Sequence, residues 1–185
     1  LFRYEELSEE AKERVKELLS DDFSAYIASD MLSGMKDTLE KKGVEDIKIS
    51  YSGFYGQGDG LSYIGTFTTG FVKDFIKDKK YPLISSYIAD GNNVNFLILE
   101  KREIHCGYVH ENSVYVSPDF ADISDKLDTE LNKLADEIND WRLADCKRMY
   151  AELEQQYEYC CSEEYAVENC TDNDYWFTAD GKLYE

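Results

Sequence analysis

The strongest concentration of chemically unusual residues is Tyr51-Ser52-Gly53-Phe54-Tyr55-Gly56-Gln57-Gly58-Asp59-Gly60-Leu61-Ser62-Tyr63, with four glycines in eight positions. Successive glycine N–H groups can form a nest for an anion, so a phosphate cradle is one chemistry the segment suggests. The other parts of that chemistry are missing. No Lys or Arg lies within the loop, no Lys-Ser/Thr follows it, and the next residues read as a strand rather than a helix N-terminus. The residues favour a structural loop, in which Gly53, Gly58 and Gly60 permit a special backbone path and Gln57 and Asp59 satisfy backbone groups.

His105-Cys106-x-x-x-His110, with Glu103 two residues earlier, contains zinc-type ligands. Its spacing matches no zinc template, and a His pair beside a turn more often serves packing, so neither a metal nor another cofactor is expected. Five cysteines, Cys106, Cys146, Cys160, Cys161 and Cys170, form no regular framework and read as reduced thiols; Cys160, Cys161 and Cys170 are expected to act as small buried apolar residues. Two histidines five residues apart leave little scope for a hydrolytic triad. In a chain with 39 acidic residues, paired carboxylates are no guide to acid–base catalysis, so no enzyme is expected.

The elements that must position these residues follow from periodicity. Ser8 precedes Glu9 and Glu10, and Ala11, Val15, Leu18 and Leu19 then recur at helical spacing, which predicts a helix over 8–20. Phe23, Ile27, Met31, Met35 and Leu39 predict a second over 22–42, closed by Gly43. Val44, Ile47, Ile49 and Tyr51 and then Leu61, Tyr63, Gly65 and Phe67 read as strands joined by the glycine loop. Phe71, Val72, Phe75 and Ile76 suggest a short helix. Val94, Phe96, Ile98 and Val109, then Val114 and Val116, suggest two or three more strands. From Ile123, Leu127, Leu131, Leu134, Ile138 and Trp141 step by four and three, predicting a long helix that continues through Met149, Leu153 and Tyr157 and bends near 142–145, where the stripe weakens. A helix over 162–169 and a hairpin over 175–184 close the chain. The expected fold is α+β: two N-terminal helices, a mostly antiparallel sheet of four to five strands, and the long C-terminal helix packed on the sheet. One acidic domain over 1–185 is expected, with 119–185 as its helical, acidic part.

Several of these segments carry a family resemblance. The pattern GF-x-x-QGDG-x-x-F/Y, here Gly53 to Tyr63, occurs with the opening Tyr4-Glu5-Glu6-Leu7-Ser8-Glu9-Glu10-Ala11-Lys12. The chain closes with Tyr157-Glu158-Tyr159, Ser162-Glu163-Glu164, Asn173 and Phe177-Thr178-Ala179-Asp180-Gly181. Together they resemble a family of small proteins borne by phages and mobile elements, described as hypothetical or antitoxin-like, and are similar to a type II-A anti-CRISPR group of comparable length. The resemblance spans most of the chain and brings no catalytic residues with it. It implies a protein partner inside a bacterial host.

Charge bears on the same question. The net charge is −19, yet 15 Tyr, 9 Phe and 2 Trp mark a folded polyanion rather than a disordered one. Residues 1–118 carry 20 acidic and 14 basic side chains, 119–151 carry 9 and 5, and 152–185 carry 10 and 1. The predicted long helix and the tail offer Asp125, Asp128, Asp136, Glu137 and Asp140, then Glu152, Glu154, Glu158, Glu163 and Glu164, as rows of carboxylates. Such rows suit a basic nucleic-acid-binding surface and exclude direct binding of nucleic acid. Joined to the resemblance, they lead to an anti-defence inhibitor of a basic nuclease, namely a type II CRISPR nuclease loaded with guide RNA whose recognition of target DNA is blocked. The alternatives are an antitoxin paired with a basic toxin, and a small-molecule or metal enzyme at the glycine loop. No apolar run reaches the roughly 18 residues of a membrane span, and the first residues lack the apolar run of a secretory signal, so a cytoplasmic protein is expected.

Overall fold

Ser8 caps the first helix as its position predicts: its hydroxyl accepts the Ala11 N–H at 3.3 Å, and Glu9 and Glu10 lie in the first turn, where the helix dipole favours negative charge. The computed structural model describes residues 1–101, 110–121 and 123–184. In order the elements are α1 (Glu9–Asp22), α2 (Ala28–Lys41), β1 (Val44–Tyr51), β2 (Leu61–Phe67), α3 (Thr69–Ile76), α4 (Pro82–Ala89), β3 (Phe96–Glu100), β4 (Val114–Pro118), α5 (Asp125–Cys160) and α6 (Glu163–Asp172). The architecture is α+β, as expected. The chain divides into two compact units, residues 1–32 with 151–185 and residues 33–150.

Between α1 and α2 no loop intervenes. Phe23–Ile27 forms a π-turn, with the Ala28 N–H bonded to the Phe23 carbonyl, so the two expected helices run on as one helical stretch. The apolar residues there change phase without any Gly or Pro to break the helix. A wider turn absorbs the shift and keeps Phe23 buried, edge-on to Tyr157 at 5.4 Å.

In the central unit the four strands lie in sequence order, each antiparallel to its neighbour. β1 does not alternate cleanly, because a bulge between Glu45 and Lys48 lets Val44 and Ile47, three residues apart, both reach the core. Gly65 on β2 makes room for it: a Cβ there would lie 2.7 Å from the Glu45 carbonyl oxygen. Gly43, with φ of +86°, ends α2 at the predicted position. The crossover from β2 to β3 contains α4, a helix the periodicity reading did not include. Pro82 occupies its first turn, a favoured place for proline, and so starts a helix instead of interrupting structure. Val109 lies outside the described residues.

Helix α5 continues through 142–145 without a break. Leu127, Leu131, Leu134 and Ile138 are buried, and Trp141 meets Phe67 of β2 edge-on at 6.1 Å and Phe71 of α3 at 5.3 Å, which sets this helix against the sheet. Burial of each such large side chain stabilises the fold by roughly 1.5–3 kcal/mol.

The terminal unit is built from both ends of the chain. Tyr4, Leu7, Ala11, Val15 and Leu19 pack with Ala166, Cys170 and Phe177. Phe2 and Phe177 exchange backbone hydrogen bonds at 2.8 and 2.9 Å, and Phe177 pairs with Leu183 in the expected terminal hairpin. Ser162 caps α6 through the Tyr165 N–H at 3.1 Å.

Candidate functional site

The glycine loop closes on itself. The Ser52 N–H donates to the Gly60 carbonyl at 3.1 Å, the Gly60 N–H to Ser52 Oγ at 3.1 Å, and the Gly56 N–H to Asp59 Oδ2 at 2.7 Å. Two of the amides an anion nest would need are therefore already used, and Asp59 serves the backbone as expected. Gln57 is exposed. The Tyr150 hydroxyl donates to the Gly53 carbonyl at 3.0 Å, and Phe54 stacks near Tyr150 and Tyr51, pinning the loop to α5. Gly58 has φ of +88°; at Gly60 a Cβ would lie 3.2 Å from His110 Cα and Glu111 Oε2, closer than ordinary contact. Tyr55 also lies at positive φ, +68°, at the exposed tip.

Behind this loop lies a buried polar cluster. Arg142 on α5 is fully buried: its Nη2 donates to the Glu111 carbonyl at 2.8 Å and to Asn139 Oδ1 at 3.1 Å, and its Nε donates to the same Asn139 oxygen. Asp145, buried at 8% exposure, accepts from Arg148 at 2.8 Å through Oδ1, while its Oδ2 and the Tyr63 hydroxyl have no hydrogen-bond partner among the described residues. Burial, reinforced by Cys146 and Asp145 nearby, holds the Tyr63 phenol well above its ordinary pKa, and burial pushes the Cys146 thiol up to about 12. Both groups stay neutral, and a thiol so held is a poor nucleophile. The sequence reading missed Arg142 and Asp145 because it treated them as gaps in the stripe. Their spacing from Ile138 to Met149 in fact continues it.

His110 is the described member of the proposed metal cluster; Glu103, His105 and Cys106 lie outside the described residues. His110 Nδ1 accepts the Asn112 N–H at 3.2 Å and sits 3.2 Å from Glu111 Oε2. No group of three or more metal-ligating side chains occurs among the described residues. Cys146, Cys160 and Cys170 are buried free thiols, whereas Cys161, in the turn that follows α5, is exposed, contrary to expectation.

The acidic positions on α5 separate by face. At 100° per residue, Asp125, Asp128, Asp136 and Asp140 fall within about 120° of arc opposite the buried stripe, and all four are exposed. Glu137 does not belong with them. Its carboxylate accepts from the Tyr81 hydroxyl at 2.6 Å and from Lys79 Nζ at 3.0 Å, and these bonds hold its pKa below the ordinary range. Glu130, one helical repeat earlier on the same side, accepts the Ile84 N–H at 2.8 Å and stands in for the side-chain cap that α4 lacks. Glu152, Glu158, Glu163 and Glu164 are exposed and Glu154 is half-buried, all in the terminal unit.

That unit holds 19 acidic and 5 basic residues, net −14 of the chain's −19. Each of its basic side chains is already paired: Arg3 with Asp174, Lys12 with Glu9, Arg14 with Glu10, Lys16 with Glu13 and Lys182 with Asp180. The Thr178 and Lys182 hydrogen bonds bring the Asp180 pKa down to about 2.

The molecule is thus an acidic α+β protein with a meander sheet, a closed glycine loop and a helical unit of concentrated negative charge. It belongs to the family described as a domain of unknown function, DUF8835, which it matches over residues 24–163. The match takes in the whole central unit, while α1 and nearly all of α6 lie outside it. No curated protein and no solved structure matches the chain. Among the described residues no helix is long and apolar enough to cross a membrane.

Proposed function

We propose that the chain is a non-catalytic inhibitor of the bacterial cytoplasm that presents carboxylates to the Lys/Arg channel of a basic nucleic-acid-binding protein. The partner implied by the sequence resemblance is a guide-loaded type II CRISPR nuclease, blocked from target DNA. The observation that carries the reading is the charge state of the terminal unit, where every basic side chain is paired and a net −14 remains. The exposed row on α5 is sparser. From Asp125 to Asp140 it extends about 22 Å, over which duplex DNA would carry about 13 charges against these four. The row therefore steers a basic surface, while the terminal unit has the carboxylates to compete for it.

The test is association with the guide-loaded nuclease, and inhibition of its DNA binding, across a series of salt concentrations. Association should slow steeply above about 0.15 M salt, where the Debye length is about 8 Å, with dissociation changing less. Two triple variants, Asp128→Lys with Asp136→Lys and Asp140→Lys, and Glu163→Lys with Glu164→Lys and Asp172→Lys, should each weaken inhibition while remaining folded at the assay temperature; the positions are exposed, and only the reversals in first helical turns, at Asp128, Glu163 and Glu164, should each lower stability, by about 0.3–1 kcal/mol. Salt-indifferent binding, or full inhibition by both variants, would sink the reading.

A further inference from the structure

The terminal unit contains a cavity of about 240 Å³ lined by Arg3, Tyr4, Glu5, Cys170, Thr171, Asp174 and Tyr175. Pockets for small organic ligands run from about 300 to 1,000 Å³, so this one suits a single long side chain. Tyr4 is 2% exposed, and its hydroxyl has no hydrogen-bond partner among the described residues. Burial, with Glu163 next in effect, pushes its pKa up to about 12, and burial pushes the Cys170 thiol up to about 11. The Tyr4 hydroxyl and the Cys170 thiol thus stay neutral, and the charge of the wall is that of Arg3, Glu5 and Asp174. Glu5 and Asp174 are exposed, and the Glu5 carboxylate has no ion-pair or hydrogen-bond partner among the described residues.

Arg3 shows how this surface treats a guanidinium. Its Nη2 lies 2.6 Å from Asp174, its Nη1 donates to the Tyr175 carbonyl at 3.2 Å, and it stacks 3.8 Å over the Trp176 ring. The pairing of Phe2 with Phe177 and of Phe177 with Leu183 places Arg3, Trp176 and Tyr184 in one cross-strand row, in which both aromatics are exposed. An Arg3 neutralised by Asp174 and an unpaired Glu5, both in the wall of a cavity of side-chain size, are the parts of an anchor for a cation.

We propose that this cavity seats a Lys or Arg side chain of the partner protein, giving a localised anchor to an otherwise diffuse acidic surface; this rests on the reading of the chain as a binder of a basic protein. The direct test uses acetyl-Gly-Arg-Gly-amide, titrated against the full chain while the backbone amide resonances of Glu5, Thr171 and Asp174 are followed by NMR, with the uncharged citrulline peptide as control. Saturable shifts at millimolar peptide are expected, with none from citrulline. Glu5→Gln should weaken them at least about threefold. Thr171→Arg, which adds a second guanidinium beside that of Arg3, should abolish them, and Glu17→Gln, exposed on α1, should leave them intact. Equal shifts from citrulline, no saturable shift, or an unaffected titration in Thr171→Arg would overturn the anchor.

The guide-loaded nuclease separates the two proposals. If it binds in a salt-dependent way but leaves Thr171→Arg at the wild-type rate, the anchor falls and the electrostatic reading stands. If it does not bind while the arginine peptide does, the choice of nuclease falls and the seat for a basic side chain stands.

Discussion

Gly58 and Gly60 are needed for different reasons, and substitution separates them. At φ of +88° Gly58 occupies backbone space that a β-branched residue enters only under strain, so Gly58→Val should cost about 1–3 kcal/mol in urea unfolding. Gly60 has no such φ; a side chain there must displace His110 and Glu111, so Gly60→Ala should already destabilise. A variant at Gly58 that melts like wild type yet loses inhibition would instead make the loop a contact surface. Arg142 offers a second test at this scale. Lysine keeps the buried charge but cannot reach the Glu111 carbonyl and the Asn139 amide oxygen together, so Arg142→Lys should lower stability by about 2–3 kcal/mol. The loop's structural character was legible from glycine density with no cation alongside. The polar cluster behind it was not, because burial of Arg142 depends on partners 28 to 31 residues away on another element.

At the scale of elements, α5 does two jobs with one residue type. Asp125, Asp128, Asp136 and Asp140 face outward, whereas Glu130 and Glu137 hold the start of α4 and the turn before it. Glu130→Ala should cost about 1 kcal/mol, the usual loss when a helix N-terminus is left uncapped. Glu137 gives a pH signature whose sign follows from its depressed pKa. Its stabilising bonds are fully present above the unfolded carboxyl value and are lost as pH falls through the lower folded value. Wild type should therefore exceed Glu137→Gln in stability at pH 7, and the gap should close on acidification toward about pH 3. A gap unchanged across that range would mean that the Tyr81 and Lys79 bonds do not depend on the charge. The α5 stripe, the Ser8 and Ser162 caps and the Gly43 stop were legible because each is a local pattern. The π-turn at Phe23–Ile27 and the bulge at Glu45 to Lys48 were not, since both reconcile a local phase with distant packing. Helix α4 was legible in principle, from Pro82 at a favoured first-turn position followed by Leu83, Ile84, Tyr87 and Ile88 at helical spacing.

For the whole molecule, charge acts on folding and on binding with opposite signs. A net −14 confined to the terminal unit repels itself, and the α1 pairs that offset it, Lys12 with Glu9 and Lys16 with Glu13, leave the glutamates exposed, where such bridges add little. Added salt screens that repulsion, so the melting temperature should rise as NaCl goes from about 0.01 M to 0.15 M, over which the Debye length falls from about 30 Å to about 8 Å. The same screening removes the long-range attraction to a basic partner, so association should slow over the interval in which the fold becomes more stable. Neutralising Glu17 and Asp21, exposed on α1, should raise the low-salt melting temperature and flatten its salt dependence. Melting curves of wild type and of the Glu17→Gln, Asp21→Asn variant at four salt concentrations check this. A wild-type melting temperature that falls with salt would mean that the ion pairs outweigh the repulsion, and the acidic surface would then need no binding role to explain why it is tolerated.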